Sequence, residues 1–422
     1  MSVSQISQAA DSSRALTVAA HAAFVPIGIV TVLLGPLLPM LSARWSLNYT
    51  QAGSLFTVQF LSSTVGVALS GFCVERWGFR FAIKAGLLAM GVGVASLPYS
   101  SRVLGSACIG LYGLGFGIAV PAANLLVAEV HQFQRSAALN LLNFSWSVGA
   151  VACPFLVAAA VRAHHVPFLL AAFAGLLFIV TLGIAAMPSR IVEPRPNRRN
   201  DVQRVASVDL STSDLSRSDL SRSDLSRSDS GKSWRNNSVV LLASLFFLYV
   251  GVENSCGGWI ASYAKSLGTL SLGLALMSSS FFYSALMVGR WLASLVLKKV
   301  EEVTLARAGL LTACAGMACL LLSHTALGVL AGASVSGLGL AAVYPITISL
   351  LSREFGDTAS QMGSIMFTMA NLGGAFLPWL VGYFSSRFGS VRAGMVVPLI
   401  AGGVMCSLYL MNWRTKPRQV TL

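Results

Sequence analysis

The sequence predicts an all-α membrane protein: twelve transmembrane helices in two pseudo-symmetric six-helix halves. Three observations predict it. The 422 residues are 55% hydrophobic and only 10% charged, with a mean hydropathy of +0.72, whereas soluble domains carry about 25% charged residues. Twelve windows approach the roughly 20 apolar residues that a helix needs to cross a bilayer. Six of these windows precede a long polar segment, six follow it, and the two groups repeat one another.

In chain order the windows are 18–41, 50–73, 82–99, 104–128, 139–162, 166–187, 238–263, 270–297, 306–323, 326–351, 360–384 and 391–412, numbered here as spans 1 to 12. The polar residues before span 1 carry Arg14 as their only base. The apolar run that follows, interrupted by Pro26 and Pro36, exceeds the 7–15-residue core of a signal peptide, so span 1 reads as uncleaved. The repeat shows at a single offset. Gly113, Leu114, Gly115, Pro121, Gly149, Pro154, Leu156 and Val157 recur 224 residues later as Gly337, Leu338, Gly339, Pro345, Gly373, Pro378, Leu380 and Val381. Leu and Val matches arise by chance, but four glycines and two prolines carry special backbone demands. The expected organisation is a half at 1–187, a linker at 188–237 and a second half at 238–422.

The linker contains three tandem copies of Ser-Asp-Leu-Ser-Arg between Ser213 and Arg227. It is nearly charge-balanced and too poor in apolar residues to offset the entropy of ordering it, so it reads as a flexible cytoplasmic connection whose serines could be regulatory. The formal net charge of +14 is not gathered into a basic domain, which argues against nucleic acid. The basic residues follow the loops instead. Outside the linker, twelve Lys/Arg fall on the side of the termini and six on the other, with Arg290 inside a span. Both termini are therefore expected in the cytoplasm and the protein in the plasma (inner) membrane. All seven cysteines lie in apolar spans and read as small buried hydrophobes rather than a disulfide framework.

Span 7 organises the chemistry. Phe246-Phe-Leu-Tyr-Val-Gly-Val-Glu253-Asn254-Ser-Cys-Gly257-Gly258-Trp259-Ile-Ala-Ser-Tyr263 places a carboxylate, an amide and a glycine pair where lipid would otherwise be. An ionised carboxylate at the bilayer centre costs roughly 3 kcal/mol or more, so it must face protein or water. Gly257 and Gly258 should each weaken the helix by roughly 1 kcal/mol relative to Ala. A weak polar point in an apolar span fits a midplane substrate site, and a helix-packing contact with one buried hydrogen bond is the plainer alternative. Arg290, in span 8, is expected to snorkel or to pair with a helix end. With Glu253 placed in the outer half of span 7, pairing between the two is not expected. His21, early in span 1, reads as a hydrogen-bonded structural residue, and the glycines of span 4 as close-packing positions.

Between spans 2 and 3, Gly71-Phe-Cys-Val-Glu75-Arg76-Trp-Gly78-Phe-Arg80 resembles the signature loop G-x-x-x-D-R-x-G-R-[RK] of the major facilitator superfamily, with Glu75 for Asp and Phe79 for one basic residue. Gly71 would permit close helix approach and Glu75 could face a helix N-terminus. A charged turn obeying the loop-charge rule is the alternative. The resemblance implies that Gly71, Glu75, Arg76, Gly78 and Arg80 latch the halves together on the cytoplasmic side.

Two further stretches are similar to the fucose–galactose–glucose:proton symporter family. One joins Ala119-Val-Pro-Ala-Ala-Asn124 to Leu139-Asn140-Leu-Leu-Asn143-Phe-Ser-Trp146-Ser147-Val-Gly149 in spans 4 and 5; the other is Tyr249 to Tyr263 in span 7. Some members of that family carry carboxylates within spans 1 and 4, and this chain has neither, its nearest acid being Glu129. The resemblance implies proton symport of a monosaccharide with Glu253 as the protonation site. Asn140, Asn143 and Ser147, at i, i+3 and i+7, share a helical face, and amides match the donor–acceptor pairs of sugar hydroxyls without imposing charge. The same two asparagines could equally be interhelical glue. Trp146 and Trp259 could stack on a sugar, or Trp259 could be an interfacial belt residue. Gln59, Asn124, Asn254, Tyr344 and Asn371 complete the candidate contacts, Asn124 and Gln59 foremost.

No catalytic constellation, metal-ligand cluster, phosphate-binding loop or cofactor motif is present, so an enzyme and ATP-driven transport on this chain alone are not expected. The expected partners are a small polar solute, protons and the bilayer, acting on a monomer. An exporter of amphipathic compounds and a transporter-like sensor are the competing readings.

Overall fold

The computed structural model describes residues 3–131, 135–188, 222–297, 299–355 and 359–412. Among them, twelve helices are long and apolar enough to cross a membrane: Ser13–Arg44, Tyr49–Trp77, Phe79–Tyr99, Arg102–Val130, Ala138–Arg162 and Val166–Ala185, then Ser238–Ser266, Leu272–Val296, Glu302–Leu322, Ala326–Phe355, Ile365–Arg387 and Val391–Leu410. They coincide with the twelve predicted spans and make the chain an integral membrane protein. Span 1 breaks at Leu33, three residues before Pro36, whose ring cannot follow the carbonyl of residue 32 in a continuous helix.

Residues 189–221, most of the expected linker, lie outside the described residues. Its last part departs from expectation: the helix of span 7 begins at Arg222 rather than at Ser238 and runs unbroken to Ser266. Extending an existing helix avoids the cost of nucleation, which would keep so polar a segment from being helical alone. The helix runs without a break through Gly257 and Gly258. Their missing side chains make room, for the Tyr283 hydroxyl over Gly257, for Phe56 over Gly258 and for the backbone at Gly35 over both.

The 224-residue repeat has a physical basis in helix crossings. A Cβ on Gly113 would meet the backbone of Gln59 in span 2, and one on Gly337 the backbone of Phe282 in span 8. Gly149 lies on Val25 and Ile29 of span 1, and Gly373 on Phe247 of span 7. Gly115 lies on Gly86 of span 3, and Gly339 on Gly309 and Ala313 of span 9. Each matched glycine thus makes the equivalent crossing in each group of six, where only a residue without a side chain lets the backbones touch. A pair of arginines repeats the pattern. Arg80 of span 3 donates to the carbonyls of Ile184 and Met187 at 3.2 and 2.6 Å, and Arg307 of span 9 to that of Tyr409 at 2.9 and 3.2 Å. Both satisfy carbonyls at the C-terminal end of the last helix in their group, the end that carries partial negative charge.

This predicts a graded effect on stability. Gly149→Ala and Gly373→Ala should each lower the thermal midpoint in detergent, at a cost of about 1–3 kcal/mol for overpacking. Gly71→Ala, whose added methyl would meet nothing within 4 Å, should leave it unchanged or slightly raised.

The bundle has a linker end, where spans 6 and 7 are joined, and a far end carrying the turns at 45–48, 163–165, 267–271 and 388–390. At the far end the first six spans close against the last six. Gly53 lies on the backbone of Pro378 and Trp379, and Gly382 on that of Tyr49. The Thr50 N–H donates to Ser386 Oγ at 2.9 Å and Thr57 Oγ1 to the Ala375 carbonyl at 2.9 Å. Nearer the middle, Ser280 Oγ of span 8 donates to the Val151 carbonyl of span 5 at 3.1 Å.

Candidate functional site

Span 7 turns Phe246, Tyr249 and Glu253 onto one face, at i, i+3 and i+7. Glu253 is buried near the middle of its span, not in the outer half. Its carboxylate Oε1 lies 3.7 Å from Nη2 of Arg290 in span 8. This overturns the expectation that Arg290 snorkels away and does not pair. Counted along their spans, the two Cα atoms sit at different depths, Arg290 some six residues to the linker side of its helix centre. But side chains on a helix tilt toward its N-terminus, and spans 7 and 8 run antiparallel. Glu253 therefore leans toward the linker end and Arg290 toward the far end, and the gap closes.

The pair is held from both groups of helices. The Arg290 guanidinium lies over the Trp146 ring, 5.8 Å from its centroid, and its Nη1 reaches Ser147 Oγ at 3.5 Å. Both partners are on span 5. Trp146 in turn makes a T-shaped contact with Tyr283 at 6.4 Å between ring centroids. Tyr249 stacks on Tyr344 of span 10 at 5.2 Å, Phe246 meets the same ring edge-on at 5.7 Å, and the Tyr249 hydroxyl lies beside both Glu253 and Arg290. With side-chain exposures of 11% for Glu253 and 22% for Arg290, the pair is shielded but not sealed. Tyr249, Tyr283 and Arg290 are the residues that sequence reasoning missed as members of the site. The four-residue spacing of Tyr249 and Glu253 was the available signal.

The other candidates divide. Trp146 and Tyr344 belong to the cluster. Asn140 and Asn143 are exposed and lie one to two turns toward the linker end from Ser147, on the face of span 5 that meets Arg290. Asn124, Asn143 and Asn254 each donate one amide N–H to the carbonyl four residues back, at 2.8–3.0 Å. Gln59 is a strut: its amide donates to the Thr31 carbonyl at 3.0 Å and accepts from the Tyr112 hydroxyl at 3.3 Å, tying spans 1, 2 and 4. Trp259 is neither exposed at an interface nor open for stacking. It is 1% exposed, and its indole N–H donates to the Pro378 carbonyl at 3.0 Å. Asn371 is buried in span 11. His21 bonds Ser145 Oγ at 2.8 Å, the structural role expected of it.

A midplane ion pair between two equivalent groups of six spans suits a rocking transporter, and the sequence comparison agrees. A sequence model of the Major Facilitator Superfamily matches residues 21–378. The chain belongs to the Major Facilitator Superfamily. It is a transporter rather than an enzyme. Over 389 residues it is 26% identical to the glucose/galactose transporter of Brucella abortus, covering 88% of each chain. Its fold is similar to that of a D-xylose-proton symporter, with a TM-score of 0.72 at 19% identity over 93% of this chain and 96% of that one. The fucose:proton symporter of E. coli superposes with a TM-score of 0.62 at 16% identity, over 94% of this chain and 98% of that one.

In this member of the Major Facilitator Superfamily the signature loop joins spans 2 and 3 at the linker end. Gly78 has φ of +87°, a left-handed turn that a residue with a Cβ adopts only under strain. Arg76 lies over Trp77 at 5.9 Å, and Arg80 is committed to the carbonyls that end span 6. Gly71 corrects an expectation, since it makes no close helix approach to any described residue in this conformation.

Proposed function

We propose that this superfamily member is a monosaccharide:proton symporter working by alternating access, with Glu253 as the proton site. The observation that carries the reading is the buried Glu253–Arg290 pair, which spans 7 and 8 contribute and span 5 supports. Symport requires that proton and solute favour each other's binding, a reciprocal coupling. A carboxylate held by a cation can supply it: protonating Glu253 releases Arg290 to the solute, and a solute engaging Arg290 favours the protonated acid. The names of the relatives above support a sugar as the solute. The halves 1–187 and 238–422 rock about the site, with residues 71–80 latching the cytoplasmic side in the opposite state.

The closed far end and the exposed Asn140 and Asn143 support an inward-facing state, for a monomer acting in the plasma membrane with its termini in the cytoplasm. An amide facing lipid would be costly, so these two asparagines line a watered path from the linker end to Arg290. Counterflow of labelled D-glucose, D-galactose and D-xylose in proteoliposomes tests the reading. At least one should exchange saturably and accumulate under an inward pH gradient. Exchange without any sugar preference would replace it with an amphipath exporter, and accumulation driven by sodium alone would remove the proton.

A further inference from the structure

Arg290 has five N–H donors and no acceptor, yet its contacts within the protein are few and long. Nη1 to Ser147 is 3.5 Å and Nη2 to Glu253 is 3.7 Å, whereas charge-assisted hydrogen bonds run at about 2.7–2.9 Å. Its Nε is buried and has no hydrogen-bond partner within 3.5 Å among the described residues, and the Tyr249 hydroxyl, though beside the pair, has none within that distance either. Roughly nine in ten buried polar groups are satisfied, so two unmet ones beside a single loose ion pair mark a place where something else completes the bonding. The geometry is also fixed in advance. Trp146 supports the guanidinium plane and Tyr344 the Tyr249 ring.

Resting on the sugar reading above, we propose that Arg290, Glu253 and Tyr249 form a subsite that grips two adjacent hydroxyls of the sugar. The Nε–H and Nη–H edge of a guanidinium offers two parallel donors to neighbouring oxygens. A hydroxyl both accepts and donates, so each oxygen of a vicinal diol can take an N–H from Arg290 and return its own hydrogen to Glu253 or Tyr249. Charge favours a diol over the other two-oxygen group of this shape, a carboxylate. While Glu253 is ionised the pair is neutral as a unit and a carboxylate would set a second anion beside it, whereas a diol fits the site both before and after Glu253 takes up its proton.

The test is exchange of labelled D-glucose against each of its monodeoxy analogues, and against D-glucuronate, in wild-type, Arg290→Lys and Tyr249→Phe proteoliposomes. Two analogues lacking neighbouring hydroxyls should bind more weakly by about tenfold or more, the span of a lost hydrogen bond to a charged group. Arg290→Lys keeps the charge but not the planar fork, and should narrow that gap to less than about threefold. An arginine that is merely structural would slow every analogue alike and leave the pattern unchanged, which overturns the subsite while the sugar reading stands. So would a gap confined to non-neighbouring hydroxyls, or a preference for D-glucuronate over D-glucose. Tyr249→Phe deletes one oxygen and keeps the ring stacked on Tyr344, so it should fold even where Arg290→Lys does not. It should weaken D-glucose while sparing one of the two adjacent deoxy analogues; equal weakening of all overturns the proposal. Failure of every sugar to exchange removes the sugar reading and the subsite together.

Discussion

Glu253→Gln should abolish accumulation driven by a pH gradient while leaving solute exchange within about threefold of wild type. The amide keeps the shape of the carboxylate and imitates its protonated form permanently. Exchange needs the loaded site to alternate between the two faces, with no net release of a proton, whereas accumulation needs that release on one face. The objection is that the substituted amide would leave Arg290 without a counter-charge, and orphaning a buried cation is costly. Arg290 is better placed than most: it keeps the Trp146 ring and Ser147, and about a fifth of its side chain is accessible. The same uncompensated arginine must also exist transiently in every cycle of the wild type if Glu253 loads a proton. Uphill accumulation by the mutant would remove Glu253 from coupling. Glutamine keeps an acceptor oxygen for a solute hydroxyl, so loss of exchange as well would mean that the carboxylate's charge itself is needed to hold the solute or the fold.

The architecture was legible because it rests on patterns that sequence carries directly. The apolar windows found every span, and the glycines at the 224-residue offset mark crossings between backbones, a constraint that falls on single positions. Span 7 was legible as the focus because a carboxylate in an apolar helix must be explained. Its partner was not, for a geometric reason. Depth along two antiparallel helices was judged from residue number, which ignores the direction in which side chains lean, and that lean joins Glu253 to Arg290. Trp259 misled for a related reason. Nearness to a helix end suggested an interface, but the far end is closed, and the indole is buried against Pro378. Whether an amide faces a neighbour, as Gln59 does, or its own helix, as Asn124, Asn143 and Asn254 do, depends on rotamers that spacing does not encode. In the inward-facing reading, the exposure of Asn140 and Asn143 depends on which end of the bundle is closed, a property of the conformation rather than of composition.

Breaking the central pair from its two sides should have unequal effects on stability, and removing both partners should undo part of the damage. Glu253→Ala leaves a guanidinium that cannot shed its proton. Losing one partner of a buried pair costs about 3–5 kcal/mol, and the partial exposure of Arg290 reduces the expectation to about 2–3 kcal/mol through solvent screening. Arg290→Ala leaves a carboxylate, which can take up a proton and sit neutral beside the Tyr249 hydroxyl, so about 1 kcal/mol is expected. The double variant Glu253→Ala/Arg290→Ala carries no unpaired charge and should unfold at a higher temperature than Glu253→Ala alone, even though it has lost more atoms. Thermal unfolding of the four proteins in detergent, treated as a double-mutant cycle, measures the coupling directly. A coupling of about 1–2 kcal/mol is expected from the loose 3.7 Å separation. Additive losses would mean that Glu253 and Arg290 are each held by other neighbours, and that protonation of one does not release the other.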